Sequence, residues 1–339
     1  MNTAVRGERE PPPAAVARPL PPTVRRRRAN PGTVIALHVG GAFIQGCVLG
    51  PDGSPRASER WFTRPERGPD AVVDSVLACA ASLAEGCRPT AAGVALPGVV
   101  DDASGRAVRA TALGWHGIPV RDWVAEHLDL PVAVGHDGRT GGLAEARAGA
   151  GRDCRNFLYV SVGDGIAAAP VVDGRAVPDG HGGTGGLGHV VVRPEDGDPC
   201  HCGRHGCLET VASTTAVARR YARMTGWRGV TAREVHHRAD AGDPHARVVC
   251  TDAMDALVGV LASEVRRHAP ERVVIAGEPA GAGSSSLASL RDTLAGRLVS
   301  PAVPELRLAR FGDMAGCVGA AFLARDMALT AGNLRPGRP

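Results

Sequence analysis

From Thr33 onward, the spacing of apolar residues predicts an alternation of strands and helices. Short apolar runs in TVIALHV, FIQGCVL and RWFT predict a β-meander, with a tight turn at residues 51–54. In PDAVVDSVLACAASL, the apolar residues instead recur at helical spacing. A buried strand in AAGVALPG, a helix in VRDWVAEHL and a strand in PVAVGH follow. Strands that alternate with helices in this way indicate an α/β layer.

The second half of the chain repeats this layout. It predicts strands in FLYVSVG and AAAPVVDG, helices near residues 209–224 and 243–268, a strand in VVIAG, a helix in SLASLRDTL, a strand in LRLARF and a helix in AGCVGAAFLARDMAL. Two halves of similar layout predict a bilobed α/β protein. A cleft between lobes is a common place for a small molecule to bind.

Composition narrows the classes of protein that the chain can belong to. All 39 basic residues are arginines, so chemistry that depends on a lysine amine is excluded. Residues 1–32 are rich in Pro and Arg and are predicted to be disordered. The RRRR run at 25–28 could contact a polyanion, although a solvated tail is the plainer interpretation. No signal-peptide pattern or spanning apolar run is found, so a cytoplasmic location is expected.

The densest cluster of cysteine and histidine residues, the side chains that commonly bind metal ions, lies in GLGHVVVRPEDGDPCHCGRHGC, residues 186–207. Three thiolates and one imidazole would complete a tetrahedral Zn²⁺ site of the structural type. His201 and His205 are competing imidazoles on the same loop, and three unligated thiols in a reducing compartment are the alternative. The predicted metal ligands are His189, Cys200, Cys202 and Cys207.

The segment GH followed by CHCGRHGCLE resembles the zinc signature of the ROK family, a group of sugar kinases and sugar-responsive repressors. Supporting matches are GVALPGVVD at 93–101, LGW at 113–115, VGHDGRTGGLAEARAGAG around Asp137, LYVSVGDGIAAAPVVDG, and AGCVGAAFLA at 315–324. The resemblance covers roughly residues 33–328.

This resemblance implies the two-lobed, actin-like ATPase (ribonuclease-H-like) sugar kinase fold with a structural zinc loop, and it implies a homodimer. Sugar and nucleotide share the cleft in that fold. The expected divisions are a disordered tail at 1–32, an N-terminal α/β lobe at 33–136, a C-terminal α/β lobe with the zinc loop at 137–312, a helix returning to the first lobe at 313–330, and a disordered tail at 331–339.

Asp137 matches the catalytic base of the family. It follows the apolar strand PVAV and opens the next helix, a position where Asp is also a common N-cap. A family Asn is replaced here by His136, a family Glu by Gly186, and a second family Asn by Ala112. A hexose or an amino sugar other than glucose is therefore favoured. The sugar-binding positions that the resemblance implies are His136, Asp137, His189 and Glu209.

The two phosphate turns of the family and its adenosine-side glycine segment are also changed. The DxGGT of the family becomes HVGGA, its GTG becomes GDG, and its adenosine-side GGG becomes AGE. A carboxylate and two hydroxyls are absent as a result, and Asp164 and Glu278 bring two new acids. His38 could equally be a hydrogen-bonded core residue. The implied nucleotide-binding positions, degenerate in this sequence, are His38, Gly40, Gly41, Ala42, Gly163, Asp164, Gly165 and Gly277.

Three functions are compatible with these residues. The first is a sugar-binding protein of kinase fold that binds Mg·ATP poorly and transfers phosphate weakly or not at all. The second is an active ATP-dependent, glucokinase-like hexose or amino-sugar kinase that uses Asp137 as general base and Asp164 as a metal ligand. The third is a sugar-responsive regulator, which would need a DNA-binding helix pair ahead of the sugar domain. A nucleic-acid partner is not expected, because about thirty Pro/Arg-rich residues stand there.

Overall fold

The computed structural model describes residues 32–177, 186–277, 284–298 and 303–333. Residues 1–31 of the predicted N-terminal tail lie outside the described residues, as do residues 334–339 of the C-terminal one. Within the described part of the chain, no helix is long and apolar enough to cross a bilayer.

The first half of the chain builds two sheets and three helices. Its strands are β1 (Val34–Val39), β2 (Phe43–Leu49), β3 (Pro55–Phe62), β4 (Ala91–Leu96), β5 (Val99–Asp101), β6 (Arg106–Ala110), β7 (Trp115–Ile118) and β8 (Val132–His136). Its helices are α1 (Pro69–Ala84), α2 (Val120–Leu128) and α3 (Asp137–Ala148). The larger sheet has the order β3-β2-β1-β4-β8. Strand β1 pairs antiparallel with β2 and parallel with β4, so it lies in the centre of the sheet.

The second half builds one sheet and six helices within the described residues. Its strands are β9 (Asn156–Val162), β10 (Ile166–Val172), β11 (Arg175–Ala176), β12 (Arg272–Gly277) and β13 (Glu305–Leu308). Its helices are α4 (Leu208–Ala212), α5 (Thr214–Thr225), α6 (Ala232–Asp240), α7 (Pro244–His268), α8 (Ser284–Ala295) and α9 (Ala315–Asn333). The sheet has the order β11-β10-β9-β12-β13, with β9 parallel to β12.

Local sequence explains most of these boundaries. Strand β1 is buried on both faces except at His38, as expected for the near-continuous apolar run of a central strand. Helix α7 begins where the Asp243 side chain accepts hydrogen bonds from the backbone N–H groups of residues 245 and 246, with Pro244 in the first helical position.

Two features differ from the sequence prediction. The single helix expected near residues 209–224 is divided into α4 and α5, because Ser213 is extended and its hydroxyl caps the second helix. The small antiparallel sheet β5-β6-β7 was not predicted, since its strands are only three to five residues long. It lies beside the end of β4, where it carries the loop that contains Ala112.

The final helix α9 joins the two halves. Its buried residues Cys317, Ala320, Ala321 and Ala324 pack on Ala36 and its neighbours in the first sheet. It also contacts α3 closely: a Cβ added at Gly319 would lie 1.8 Å from the carbonyl oxygen of Thr140. Glycine is therefore required at this helix crossing. Helix α9 begins two residues later and ends three residues later than the helix expected at 313–330.

Candidate functional site

Asp137 lies at the first position of α3, directly after the buried strand β8. The Nδ1 atom of His136 and the Oδ1 atom of Asp137 both accept from the backbone N–H of Gly138, at 3.1 Å and 2.6 Å. His136 is buried, whereas the Asp137 side chain remains 21% exposed. A helix N-terminus favours a carboxylate there. Asp137 is thus fixed on rigid backbone with its acid group open to a ligand.

Glu209 lies in the first turn of α4 and reaches into the second half of the molecule. Its Oε2 atom accepts from the backbone N–H of Ile166 at 3.2 Å. The same oxygen lies 3.0 Å from a Cβ built at Gly165 and 3.2 Å from one built at Gly188. The Glu209 carboxylate therefore occupies the space between two glycine-rich segments.

The charges of Asp137 and His189 reach Glu209. Burial raises the pKa of the Glu209 carboxyl; the nearby negative charge of Asp137 raises this pKa further, and His189 opposes the shift. Asp137 and His189, which are also predicted to bind sugar, are therefore near enough for their charges to act on the Glu209 carboxyl. Two carboxylates and an imidazole give several acceptors and a donor for hydroxyl groups.

The β1–β2 turn holds the first predicted phosphate-binding segment. The backbone N–H of Gly40 donates to the carbonyl oxygen of Phe43 at 2.8 Å, and the Thr63 hydroxyl donates to the carbonyl oxygen of Gly40 at 2.8 Å. A Cβ built at Gly41 would lie 3.8 Å from the Ala112 methyl group. The turn therefore adjoins the loop that the resemblance assigns to the sugar side.

His38, at the end of β1, lies beside this turn. Its Nδ1 atom is 3.4 Å from Oε1 of Gln45. Its ring packs against the first turn of α9, where a Cβ built at Gly316 would lie 3.0–3.2 Å from ring atoms. Helix α9 therefore approaches α3 through Gly319 and approaches His38 through Gly316.

The β9–β10 turn holds the second predicted phosphate-binding segment. The N–H of Gly163 donates to the carbonyl oxygen of Gly165 at 2.9 Å, which closes a narrow turn around Asp164. The Thr214 hydroxyl donates to Oδ1 of Asp164 at 3.2 Å. Asp164 thus lies at the N-terminus of α5, an electropositive position. Gly277 pairs with Val162 at the end of β12 and so adjoins the same turn.

The four predicted metal ligands converge, with one candidate ligand atom from each within 4.8 Å of all the others. Sγ of Cys200 is 3.4 Å from Nδ1 of His189, and Sγ of Cys202 is 3.6 Å from Sγ of Cys207. A tetrahedral zinc site with Zn–S distances near 2.3 Å has S–S edges of about 3.8 Å. The donor set therefore fits a zinc ion. The competing His201 and His205 are exposed on the same loop and outside this set.

Ion pairs hold the loop that carries the Cys/His cluster, residues 189–207, against helices α5 and α7. The Asp198 carboxylate accepts hydrogen bonds from Arg219 at 3.1 Å and from Arg223 at 2.7 Å, both on α5. Arg193 at the start of the loop pairs with Asp252 on α7. These ion pairs link the loop that carries the Cys/His cluster to α7 and to α5, which begins at Thr214.

Sequence reasoning missed Arg139, which is 6% exposed in the first turn of α3. Its guanidinium is 2.6 Å from the Asp102 carboxylate, at the end of β5. This ion pair fixes the start of α3 against the small sheet. An arginine two residues after Asp137 was the only sequence signal, and its burial and its partner cannot be identified without the fold.

Comparison with known proteins gives the family. The family model described as "ROK family" matches residues 34–327. A glucokinase from Halalkalibacterium halodurans is 32% identical over 249 residues, which cover 69% of this chain and 76% of that protein. An N-acetylglucosamine repressor from Escherichia coli is 30% identical over 242 residues, which cover 65% of this chain and 57% of the repressor.

A solved structure shows the same fold. The crystal structure of a ROK family glucokinase from Streptomyces griseus, in complex with glucose and AMPPNP, superposes with a TM-score of 0.80 at 26% identity. The match covers 87% of this chain and all of that one. The predicted two-lobed, actin-like sugar kinase fold is therefore confirmed, and the chain belongs to the ROK family.

Proposed function

We propose that the chain binds a hexose or an amino sugar between its two halves and that it transfers phosphate from Mg·ATP slowly or not at all. The observation that carries the sugar-binding part is the convergence of Asp137, His189 and Glu209. The Glu209 carboxylate is held between two glycine-rich segments and feels the charge of the other two groups. Such a set recognises adjacent hydroxyl groups by multiple hydrogen bonds.

Asp137 is the proposed base toward a sugar hydroxyl. The side chain sits at a helix N-terminus with its backbone fixed, and its exposed fraction lets a hydroxyl approach. Proton removal by a positioned carboxylate accelerates transfer by about 10²–10⁴-fold. Replacement of Asp137 by Asn would keep the hydrogen-bonding shape and remove the base.

The proposed weakness toward Mg·ATP rests on the side chains of the two turns. His38 and Ala42 offer neither a carboxylate for Mg²⁺ nor a hydroxyl for phosphate. The Asp164 carboxylate occupies the N-terminus of α5, which could otherwise attract a phosphate. Like charges ~5 Å apart repel by roughly 3 kcal/mol at an effective dielectric constant near 20. The backbone N–H groups of Gly40 and Gly163 already donate within their own turns.

We also propose that the Cys/His cluster holds a structural zinc ion. Three thiolates and an imidazole close a tetrahedral site without an open position, so the ion would stabilise the loop and take no part in the reaction. It would fix His189 and, through Cys207, the start of α4 that carries Glu209.

An active ATP-dependent sugar kinase is the second candidate. It is favoured by the retained Asp137 and Glu209 and by the glucokinases among the relatives. Asp164 would then hold Mg²⁺ from the second turn. A sugar-responsive regulator has weaker support: a repressor of N-acetylglucosamine is a relative, but this chain spans only 57% of its length.

Two measurements separate these functions. Calorimetric titration with a panel of hexoses and amino sugars tests sugar binding, and loss of the signal in Asp137→Ala but not in the exposed control Asp122→Ala is expected. Transfer of radiolabelled γ-phosphate from ATP to the bound sugar tests catalysis. Rapid transfer that Asp164→Ala abolishes would establish the kinase and overturn the proposal of weak transfer. Stronger Mg·ATP binding by Asp164→Ala would support repulsion.

A further inference from the structure

One face of the first sheet extends beyond the end of the helix that covers it. On this face, Ala36 of β1 and Cys47 of β2 are directly paired and pack under Cys317 of α9. Side chains two residues further along each strand point to the same side. In that next row, the first turn of α9 contacts His38 on β1, where a Cβ built at Gly316 would lie 3.0 Å from the ring.

The next row is polar and crosses three strands. His38 of β1 pairs with Gln45 of β2, and Gln45 pairs with Arg60 of β3. Beyond it, Phe43 pairs with Phe62, and their ring centroids are 5.1 Å apart. All five side chains lie on the α9 side of the sheet, which faces the second half of the molecule through α3.

The Arg60 guanidinium is placed next to the glycine turn. Its central carbon lies 3.7 Å from the centroid of the Phe43 ring, and Phe43 is the first residue after the Gly40–Ala42 turn. Within the described residues, Arg60 forms no salt bridge, so its charge is not neutralised there. A cation stacked on an aromatic ring keeps its N–H groups available at the ring edge.

This row carries a histidine and an arginine, whereas a metal-dependent phosphate site carries a carboxylate that holds the metal ion. A carboxylate beside the turn would bind a phosphate only through a divalent cation. Here the corresponding place holds His38, and an arginine lies two strands away in register. Arginine is always charged and forms charge-assisted hydrogen bonds with phosphate oxygens.

We propose that Arg60, with His38, directly binds the phosphate tail of the phosphoryl donor and that this binding does not require a divalent metal. This inference rests on the proposed function, because it assumes that the donor enters the same cleft as the sugar. It deepens that function by naming the residue that supplies positive charge. It also predicts that the tail lies toward the first sheet, away from Asp164.

The test uses Arg60→Gln and a matched control, Arg56→Gln. Arg56 is on the same strand, is exposed, and lies at the opposite end beside Asp52 at 3.8 Å. Inorganic tripolyphosphate and ADP are titrated calorimetrically into the full-length protein in metal-depleted buffer and again with Mg²⁺. We expect Arg60→Gln to weaken tripolyphosphate binding without metal by about 10-fold, as for loss of one charge-assisted contact. Arg56→Gln should change it less than about 2-fold.

The other outcomes are equally decisive. Partial recovery in Arg60→Lys would support a charge effect. Equal affinities of Arg60→Gln and Arg56→Gln, or binding by the wild-type protein only with Mg²⁺, would overturn the inference, as would no binding of either probe. Sugar titrations of the same variants distinguish the two proposals: failure of the wild-type protein to bind any sugar would refute the proposed function, whereas intact sugar binding with unchanged tripolyphosphate affinity would refute only the role of Arg60.

Discussion

Replacement of Glu145 by Gln is expected to weaken the connection between α3 and the segment that leads into α9. The Glu145 side chain is 0% exposed. Its Oε2 atom accepts from the backbone N–H of Ala150 at 2.7 Å and of Arg310 at 3.1 Å, and Oε1 accepts from the N–H of Phe311 at 3.0 Å. The carboxylate thus joins two chain segments that are far apart in sequence.

Glutamine has the same shape but only one oxygen acceptor, so its amide NH₂ must face at least one of the three backbone N–H groups. Loss of one charge-assisted hydrogen bond with a buried donor left unpaired costs about 1.5–3 kcal/mol. A change of 1 kcal/mol shifts the Tm of a chain of 150–250 residues by roughly 2–4 °C. Glu145→Gln should therefore lower the Tm by roughly 3–12 °C.

Thermal unfolding followed by circular dichroism at neutral pH measures this effect. Glu126→Gln, on the exposed side of α2, is the matched control and should stay within about 0.5 kcal/mol of the wild-type protein. Glu145→Ala should be more damaging than Glu145→Gln, because all three N–H groups lose their acceptor and a cavity opens. A Tm for Glu145→Gln equal to that of the Glu126→Gln control would refute the reasoning.

Three further predictions concern stability and metal content. Burial lowers the pKa of His127 from its ordinary value of 6.5, and neither ring nitrogen has a hydrogen-bond partner among the described residues. As pH falls, the His127 imidazole is protonated in the unfolded chain before it is protonated in the folded protein. Protonation therefore favours the unfolded state, and the folded protein loses stability as pH falls below about 6.5. His127→Leu should reduce the loss of Tm between pH 7.5 and 5.5, and equal pH slopes would contradict this. Gly277 has φ of 90°, and a Cβ there would lie 2.0 Å from the carbonyl oxygen of Val162. Gly277→Ala should lower the free energy of unfolding by more than about 1 kcal/mol, measured as the urea midpoint; an unchanged midpoint would show that the strand end can relax. Cys202→Ser should lose bound zinc as measured by elemental analysis, whereas Cys154→Ser, outside the cluster, should keep it; equal zinc content in both would argue against the proposed ligand set.

Local sequence motifs identified residues of the candidate site but not their proximity in space. Asp137, His189 and Glu209 were identified from motifs, because each lies next to a recognisable strand or cysteine-rich segment. Their mutual approach required the fold, since it depends on how the β9–β10 turn and α4 pack together. Arg139 and its partner Asp102 were missed for the same reason: an ion pair between distant segments leaves no periodic signal in the chain.

The register of the first sheet gives the sharpest contrast. The sequence indicates a strand at RWFT, but it does not state which residue of that strand lies opposite Gln45. Only the pairing of β2 with β3 places Arg60 in one row with His38, with Gln45 between them, and over the Phe43 ring. A slip of one residue would turn Arg60 to the opposite face of the sheet.

By itself, the sequence determined the alternation of strands and helices, the bilobed class and the set of candidate metal ligands, because hydrophobic periodicity and close ligand spacing are local properties. The tertiary structure decided the break at Ser213, the small sheet, the buried acceptor role of Glu145 and the row that contains Arg60. Those features depend on strand register and on contacts between segments that lie far apart in the chain. The interactions that stabilise them join residues from two or more segments, so no single segment predicts them.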